Sequence, residues 1–378
     1  MSTGSEATPS PTNRIVARSF NNLLLTKMKT KMKKSILPLL MGIIASVFTA
    51  NAQEGEKESP LLISGSVDTY YKYDFSGESQ IGTSFAGSQN SISIGMVDVV
   101  LEKSIGKVSF VGEIAFGPRA SNSAPGPIQQ LYIAYDATDK LRISGGFMST
   151  YIGYEVISPT GNLNYSTSYL FSNGPFQQGG VKLDYAVSDR FALMVGVFNE
   201  FDSYTNTNGG MDLGAQLYLA PIAGLDLYFN FVTSDDSGTE TDLTATYQAS
   251  EKFLVGLNVA QRTSGSFYDT KQGAGVNFSG AAAYLNYTLN EVVALGLRGE
   301  YFTDMEGSVF GVSDPNAPGQ LLSTPVTALT LSANIGSGAI KLIPEIRLDM
   351  AGEQIFENSN AMPTANTGQF LLAAYYTF

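Results

Sequence analysis

The sequence predicts an all-β protein: a transmembrane, antiparallel, up-and-down β-barrel of about sixteen strands. Three observations predict it. Short segments alternate apolar and polar residues, the connections between them alternate short and long, and the last segment ends in aromatics on Phe378. Composition narrows the chemistry. The 378 residues include 39 Gly, 20 Tyr and 22 Phe, only 15% are charged, and there is no His, Cys or Trp. Without His there is no Ser-His-Asp triad and no His-ligated zinc, and without Cys no disulfide or thiolate centre. Glycine and aromatics in a sparsely charged chain fit many strands on a two-faced surface.

The N-terminal region differs from the rest. Met32-Lys33-Lys34 is followed by the 14-residue run Ser35–Phe48 and by Ala50-Asn51-Ala52. A basic start, a short apolar run and an A-x-A exit predict a cleaved signal peptide over 32–52, the run being shorter than the ~18 residues of a membrane span. Residues 1–31 read as an unstructured, over-extended start, with Met32 or Met28 as the true one, and 53–60 as a short periplasmic segment. Removing residues 1–52 takes away seven bases and one acid. The 22 Lys+Arg and 34 Asp+Glu become 15 and 33, a net charge of −18. Phosphate binding needs basic patches, so nucleic acid is not an expected partner.

The barrel itself is expected over 61–378. In Ile340–Asp349 one face carries Ile340, Leu342, Pro344, Ile346 and Leu348, and the other Lys341, Ile343, Glu345, Arg347 and Asp349. Successive strand side chains point to opposite faces, so this is a strand with one apolar and one mostly charged face. The same period predicts strands near 61–75, 90–102, 107–117, 128–136, 140–148, 176–187, 190–200, 211–220, 224–233, 240–249, 252–262, 275–289, 291–302, 325–336, 339–349 and 368–378. Tight connections such as Ser188-Asp189 and Ser250-Glu251 alternate with long ones at 76–89, 118–127, 149–175, 201–210, 234–239, 263–274, 303–324 and 350–367. Short periplasmic turns, long external loops and an even strand number are outer-membrane barrel features, and place both termini in the periplasm. A soluble sandwich would share the alternation. The export signal, the polar second face and the aromatics ending the strands favour the membrane. These aromatics are Tyr70, Tyr71, Tyr73, Phe75, Tyr132, Tyr135, Tyr287, Tyr301 and Phe302, placed as interfacial girdles would be. Phe370, Leu372, Ala374, Tyr376 and Phe378 share one face. Tyr376 and Phe378 resemble the terminal signal read by the barrel-insertion machinery.

Residues 145–187, GGFMSTYIGYEVISPTGNLNYSTSYLFSNGPFQQGGVKLDYAV, carry a more specific resemblance. Gly146, Glu155, Asn164-Tyr165-Ser166, Gly174-Pro175-Phe176 and Gly179-Gly180-Val181 resemble the putative beta-barrel porin-2 (OmpL-like) family of bacterial outer-membrane proteins. The resemblance implies a porin-like channel of unassigned substrate and no enzymatic activity. Segment 149–175 is also the third and longest long connection. Classical general porins fold their third loop inward, and by that analogy this segment is expected to narrow the lumen. Tyr151, Tyr154, Glu155, Asn162, Asn164, Tyr165 and Tyr169 would then supply the constriction; an external loop packed on its own aromatics is the alternative.

A sixteen-stranded barrel leaves an aqueous channel. The polar register offers Lys72, Asp74, Asp98, Glu113, Arg142, Lys182, Asp184, Glu200, Asp226, Arg262, Arg298, Glu300, Lys341, Glu345, Arg347 and Asp349 as lumen-lining residues. The acid excess predicts a weak cation preference. The external loops are read as acidic, with Asp235-Asp236, Glu240, Asp304, Glu306, Asp314, Glu353 and Glu357, but without the spacing of a metal loop. No cofactor and no metal are expected. The function read from these residues is an outer-membrane porin for passive diffusion of small hydrophilic solutes or ions. A structural or adhesive barrel with a closed lumen is the alternative, and a barrel enzyme, lacking His, the weaker third. Expected partners are outer-membrane lipid, the insertion machinery and the solutes. A homotrimer, by analogy with porins of this size, would use an outer patch such as Val292, Leu295 and Leu297.

Overall fold

Period-two alternation decides the architecture, because each alternating segment must turn its apolar face one way and its polar face the other. A computed structural model of the chain describes residues 58–207, 209–234, 237–265 and 276–378. The strands are β1 (Leu62–Asp74), β2 (Ser91–Ile105), β3 (Val108–Phe116), β4 (Ile128–Thr138), β5 (Leu141–Ser149), β6 (Gln177–Ser188), β7 (Phe191–Phe198), β8 (Asp212–Leu219) and β9 (Leu225–Ser234). They continue as β10 (Gly238–Ser250), β11 (Phe253–Thr263), β12 (Phe278–Thr288), β13 (Val293–Asp304), β14 (Thr324–Ile335), β15 (Ile340–Ala351), the two-residue β16 (Phe356–Glu357) and β17 (Pro363–Thr364), and β18 (Asn366–Thr377). Each of the sixteen long strands lies within three residues of its sequence-based bounds. The pair β16/β17, inside the last long connection, carried no sequence signal.

Sixteen strands form one closed antiparallel barrel, each paired with its chain neighbour, and β18 sits between β15 and β1. Closure runs from Ser66↔Thr377 to Asp74↔Gln369. It extends to the last residue, where Phe378 and Gly65 exchange two backbone hydrogen bonds of 3.0 Å. No strand edge is left, as hydrocarbon requires when it offers no water to unpaired N–H and C=O groups. The tight turns follow local chemistry. In the Gly106-Lys107 turn, Gly106 takes φ +57°, a left-handed value that glycine adopts without strain.

Apolar residues face outward. Leu131, Ile133, Val195, Leu329 and Leu331 are exposed, whereas Lys72, Arg298 and Arg347 are fully buried. This arrangement inverts a water-soluble sandwich and matches a barrel in lipid. No described helix is long and apolar enough to cross a membrane; the strands make the crossing.

Some expectations need correction. Tyr70 and Phe302 are not girdle residues: they fall on the inner register and are buried, while Tyr73, Phe75, Tyr287 and Tyr301 are exposed. Glu240 and Asp304, read as external-loop acids, lie within β10 and β13 and are buried. β13 runs two residues further out than its period indicates, while Glu240 opens the segment 240–249 that the period already gives as a strand. The over-extended start, the signal peptide, residues 53–57 of the periplasmic segment, and Asp235-Asp236 lie outside the described residues.

The outward face generates a first test. Leu329→Arg places a charge among lipid-facing side chains and should destabilise the barrel by about 2–4 kcal/mol if it lies near the bilayer midplane. Denaturant unfolding in lipid vesicles measures this, with Lys182→Arg on the inner face expected to leave the midpoint unchanged.

Candidate functional site

The third long connection, between β5 and β6, lies against the barrel's inner wall, and glycines in that wall make room for it. A Cβ on Gly214 would lie 2.2 Å from the Tyr151 hydroxyl, one on Gly256 2.2 Å from the Tyr154 hydroxyl, and one on Gly296 2.9 Å from the Leu163 carbonyl oxygen. Side chains at these three positions would displace the loop, so the inner-face glycines of β8, β11 and β13 mark its track. Tyr151 donates its hydroxyl to the Phe231 carbonyl (2.8 Å), and the Gly153 N–H donates to Asp242 (3.1 Å). Tyr154 stacks on Tyr284 with centroids 4.3 Å apart.

Beyond Tyr154 the loop meets charged wall residues. The Arg298 guanidinium donates to Glu155 Oε1 (2.6 Å), to the Ser166 carbonyl (2.6 Å), and to the Thr167 carbonyl and Thr330 Oγ1 (3.1 Å each). Glu155 Oε2 accepts the Ser168 N–H at 2.7 Å. Glu345 accepts the N–H groups of Tyr165 (2.7 Å) and Ser166 (3.2 Å). Glu300 accepts those of Tyr169 and Leu170 (2.9 Å each). Arg347 donates to the Thr167 carbonyl (2.8 Å) and holds Asp349 through two hydrogen bonds of 2.8 and 3.0 Å. Asp349 in turn accepts the Tyr169 hydroxyl at 2.7 Å. Asn164 donates to Ser332 Oγ (2.7 Å), and the Tyr165 hydroxyl donates to Asp68. Ser168 caps the short helix α2 (Tyr169–Asn173) by accepting the Phe171 N–H. The wall charges thus bind the loop's main chain, with two carboxylates each accepting a pair of adjacent N–H groups.

These contacts divide the residues that sequence marked as lumen-lining. Arg298, Glu300, Glu345 and Arg347 are on the inner face but sealed beneath the loop. Arg142, Lys182, Asp184 and Lys341 remain partly or largely exposed. The segment marked as constriction divides similarly. Glu155, Asn164 and Tyr165 are buried anchors, and Tyr151 and Tyr154 dock on the wall. The loop's free rim is the turn after them, closed by reciprocal bonds between Asn162 and Val156 (2.9 and 2.7 Å).

That rim faces a gap of about 430 Å3. Val156, Ile157, Ser158 and Thr160 line it from the loop, and Ser66, Asp98, Glu113, Gln130 and Gln177 from β1 to β6. At ~30 Å3 per water the gap holds roughly a dozen waters. Sequence reasoning missed Arg119, in the short helix α1 (Pro118–Ser121). Its guanidinium donates to the carbonyls of Ile157 (3.1 Å) and Tyr165 (2.9 Å) and lies 4.6 Å from the Tyr165 ring centroid. The only available signal was a single base in the Gly- and Pro-rich stretch 117–127.

Asp202, in the external connection after β7, ties down the loop's exit by accepting the N–H groups of Phe176 (2.8 Å) and Gln177 (2.7 Å). Burial pushes its carboxyl up to about 7, against the opposing pull of those N–H groups and of Arg262.

Two tests follow from this geometry. Arg298→Met leaves Glu155 buried without its cation and the Ser166 carbonyl without its donor, which should cost about 3–5 kcal/mol. Limited proteolysis should then cut within 150–176, and adding Glu155→Gln should restore part of the protection. For Asp202, the folded state keeps its proton to higher pH than the unfolded chain does. Its stabilising contribution is complete below about pH 4 and is lost as pH rises through about 7. The denaturant midpoint should fall less between pH 5 and pH 8 in Asp202→Asn than in the native protein.

Known proteins share this architecture. Salmonella typhi OmpF, solved in complex with daunomycin, superposes with a TM-score of 0.56 at 12% identity, covering 85% of this chain and 100% of its own. Pseudomonas putida OprB gives 0.56 at 12%, covering 84% and 94%. The outer-membrane channel DcaP of Acinetobacter baumannii gives 0.54 at 12%, covering 87% and 99%. At such identities the likeness establishes the fold alone. No curated protein matches the sequence significantly. The family model described as "Putative beta-barrel porin-2, OmpL-like" matches residues 60–378. The chain therefore belongs to that family of outer-membrane β-barrel porins.

Proposed function

We propose that the protein is a passive, water-filled channel for small hydrophilic solutes and ions, and that the path runs beside the inward loop along the wall of β2 to β6. One observation carries this reading: the loop seals the inner wall of β13 to β15 above Lys341 and leaves that of β4 to β6 open. The β13–β15 charges are sealed under the loop, whereas the side chains of Arg142 and Asp136 are 50% and 44% exposed. A recess of about 260 Å3 lined by Asp136, Arg142, Asp184, Gln216 and Tyr218 opens on the same side, near the tight turns. The gap beneath Val156–Thr160 then acts as the constriction, and Arg142, Lys182 and Asp184 as the vestibule below it.

The same reading covers biogenesis and assembly. The signal peptide directs export and is cleaved after Ala52. The terminal strand, with Tyr376 and Phe378 exposed on its outer face, is the signal for the insertion machinery. Exposed Val292, beside Leu295 and Leu297 on the outer wall, offers a lipid- or subunit-facing patch for a homotrimer.

Purified protein in planar bilayers tests the channel reading. Discrete conductance steps are expected, and Arg298→Met should raise the step size by releasing the loop. A silent wild-type barrel would favour the closed, structural alternative.

A further inference from the structure

The gap between the loop rim and the wall is chemically one-sided. Asp98 and Glu113 line it, and neither forms an ion pair among the described residues. The amides around them present acceptors, beside the hydroxyls of Ser64, Ser149, Ser158, Thr160 and Thr377, which can donate or accept. Gln130 spends its amide N–H on Glu113 (2.5 Å), while its oxygen takes the Ser149 N–H (3.2 Å). Gln177 turns its amide N–H to Gln129 (3.3 Å), leaving its own oxygen unpartnered although the residue is 1% exposed. The Ser66 hydroxyl is likewise unpartnered at 2% exposure. Buried polar atoms ordinarily have partners, so these two oxygens have acceptor capacity left for water or for a visitor that supplies hydrogens. Arg119, the nearest base on the loop side, cannot serve, because it is fully buried and donates to the carbonyls of Ile157 and Tyr165. Across from the acceptors the rim is apolar at Val156, which is exposed, and Ile157.

We propose that this gap is a selectivity site for small organic cations that carry ammonium N–H donors on a short alkyl body. The ammonium group would lie among Asp98, Glu113, Gln177 and Ser66, and the alkyl body against Val156 and Ile157. The inference rests on the channel reading for its passage through the membrane, but not for its binding. A cation with N–H donors satisfies both carboxylates and the orphan oxygens. One without them satisfies charge alone, and hydrogen bonds to charged groups are the strong class.

The test uses full-length protein in planar bilayers, with n-butylammonium and tetramethylammonium chlorides as probes. In a KCl gradient the wild type should show cation selectivity. Butylammonium should reduce the potassium current at lower concentration than tetramethylammonium, and at lower concentration than methylammonium. Asp98→Asn with Glu113→Gln should weaken butylammonium block about tenfold and reduce cation selectivity. Val156→Ser with Ile157→Ser should erase the advantage of butyl over methyl. Heat-modifiable migration verifies that each variant is folded. Anion selectivity of the wild type, or block unchanged in the carboxamide variant, overturns the site. If the wild type conducts nothing, the channel reading fails by itself. Calorimetry of butylammonium binding in detergent then decides the site: heat abolished by the carboxamide variant supports it, and no heat in the wild type overturns it.

Discussion

The inner wall of β13 and β15 carries charges that cannot be left dry, and the structure depends on how they are satisfied. A buried ion without a partner costs several kcal/mol. Arg298, Glu300, Glu345, Arg347 and Asp349 are nonetheless all buried. Their partners come from the loop, through the side chains of Glu155 and Tyr169 and chiefly through its main chain, whose N–H and carbonyl groups would otherwise be unsatisfied in the same place. Each side therefore resolves the other's desolvation. The geometry is specific because a carboxylate that accepts two adjacent N–H groups fixes the position of the backbone, not only of a side chain.

That docking sets the shape of the pore. A sixteen-stranded barrel without an inward segment would leave a wide aqueous channel. Here the loop covers the wall from β8 round to β15, with Gly214, Gly256 and Gly296 supplying the clearance. Free space is left on the side of β1 to β6, where Asp98 and Glu113 look across at the loop's apolar rim. Arg119, bonded from α1 to the back of that rim, holds it from behind without presenting its charge to the gap. The charges left facing open space are thus a minority of those on the polar register.

How much of this was legible in the sequence depends on the range of the interaction. Strands show as a local period, so all sixteen could be read, together with the two faces of segments like Ile340–Asp349. Turn residues and loop lengths are also local, and they drew attention to 149–175. The docking contacts are not local. Glu155 and Arg298 are 143 residues apart and Tyr165 and Glu345 180 apart, and no period relates them. Alternation placed Arg298 and Arg347 on the inner register but could not show that a loop would cover them while leaving Arg142 wet. The misplaced Tyr70 and Phe302 have the same origin. An aromatic near a strand end suits a membrane interface, unless the inner register and a covering loop claim it.

The absence of cysteine gives direct access to the central claim, that solutes pass between the rim Val156–Thr160 and the wall of β2 to β6. A single Ser158→Cys is then the only thiol in the chain. In a planar bilayer, attaching a bulky thiol reagent to it should cut single-channel conductance in one step, and the same treatment of Asn360→Cys in the last external connection should not. Full conductance after complete labelling at Ser158→Cys would contradict the account, because the path would then lie elsewhere.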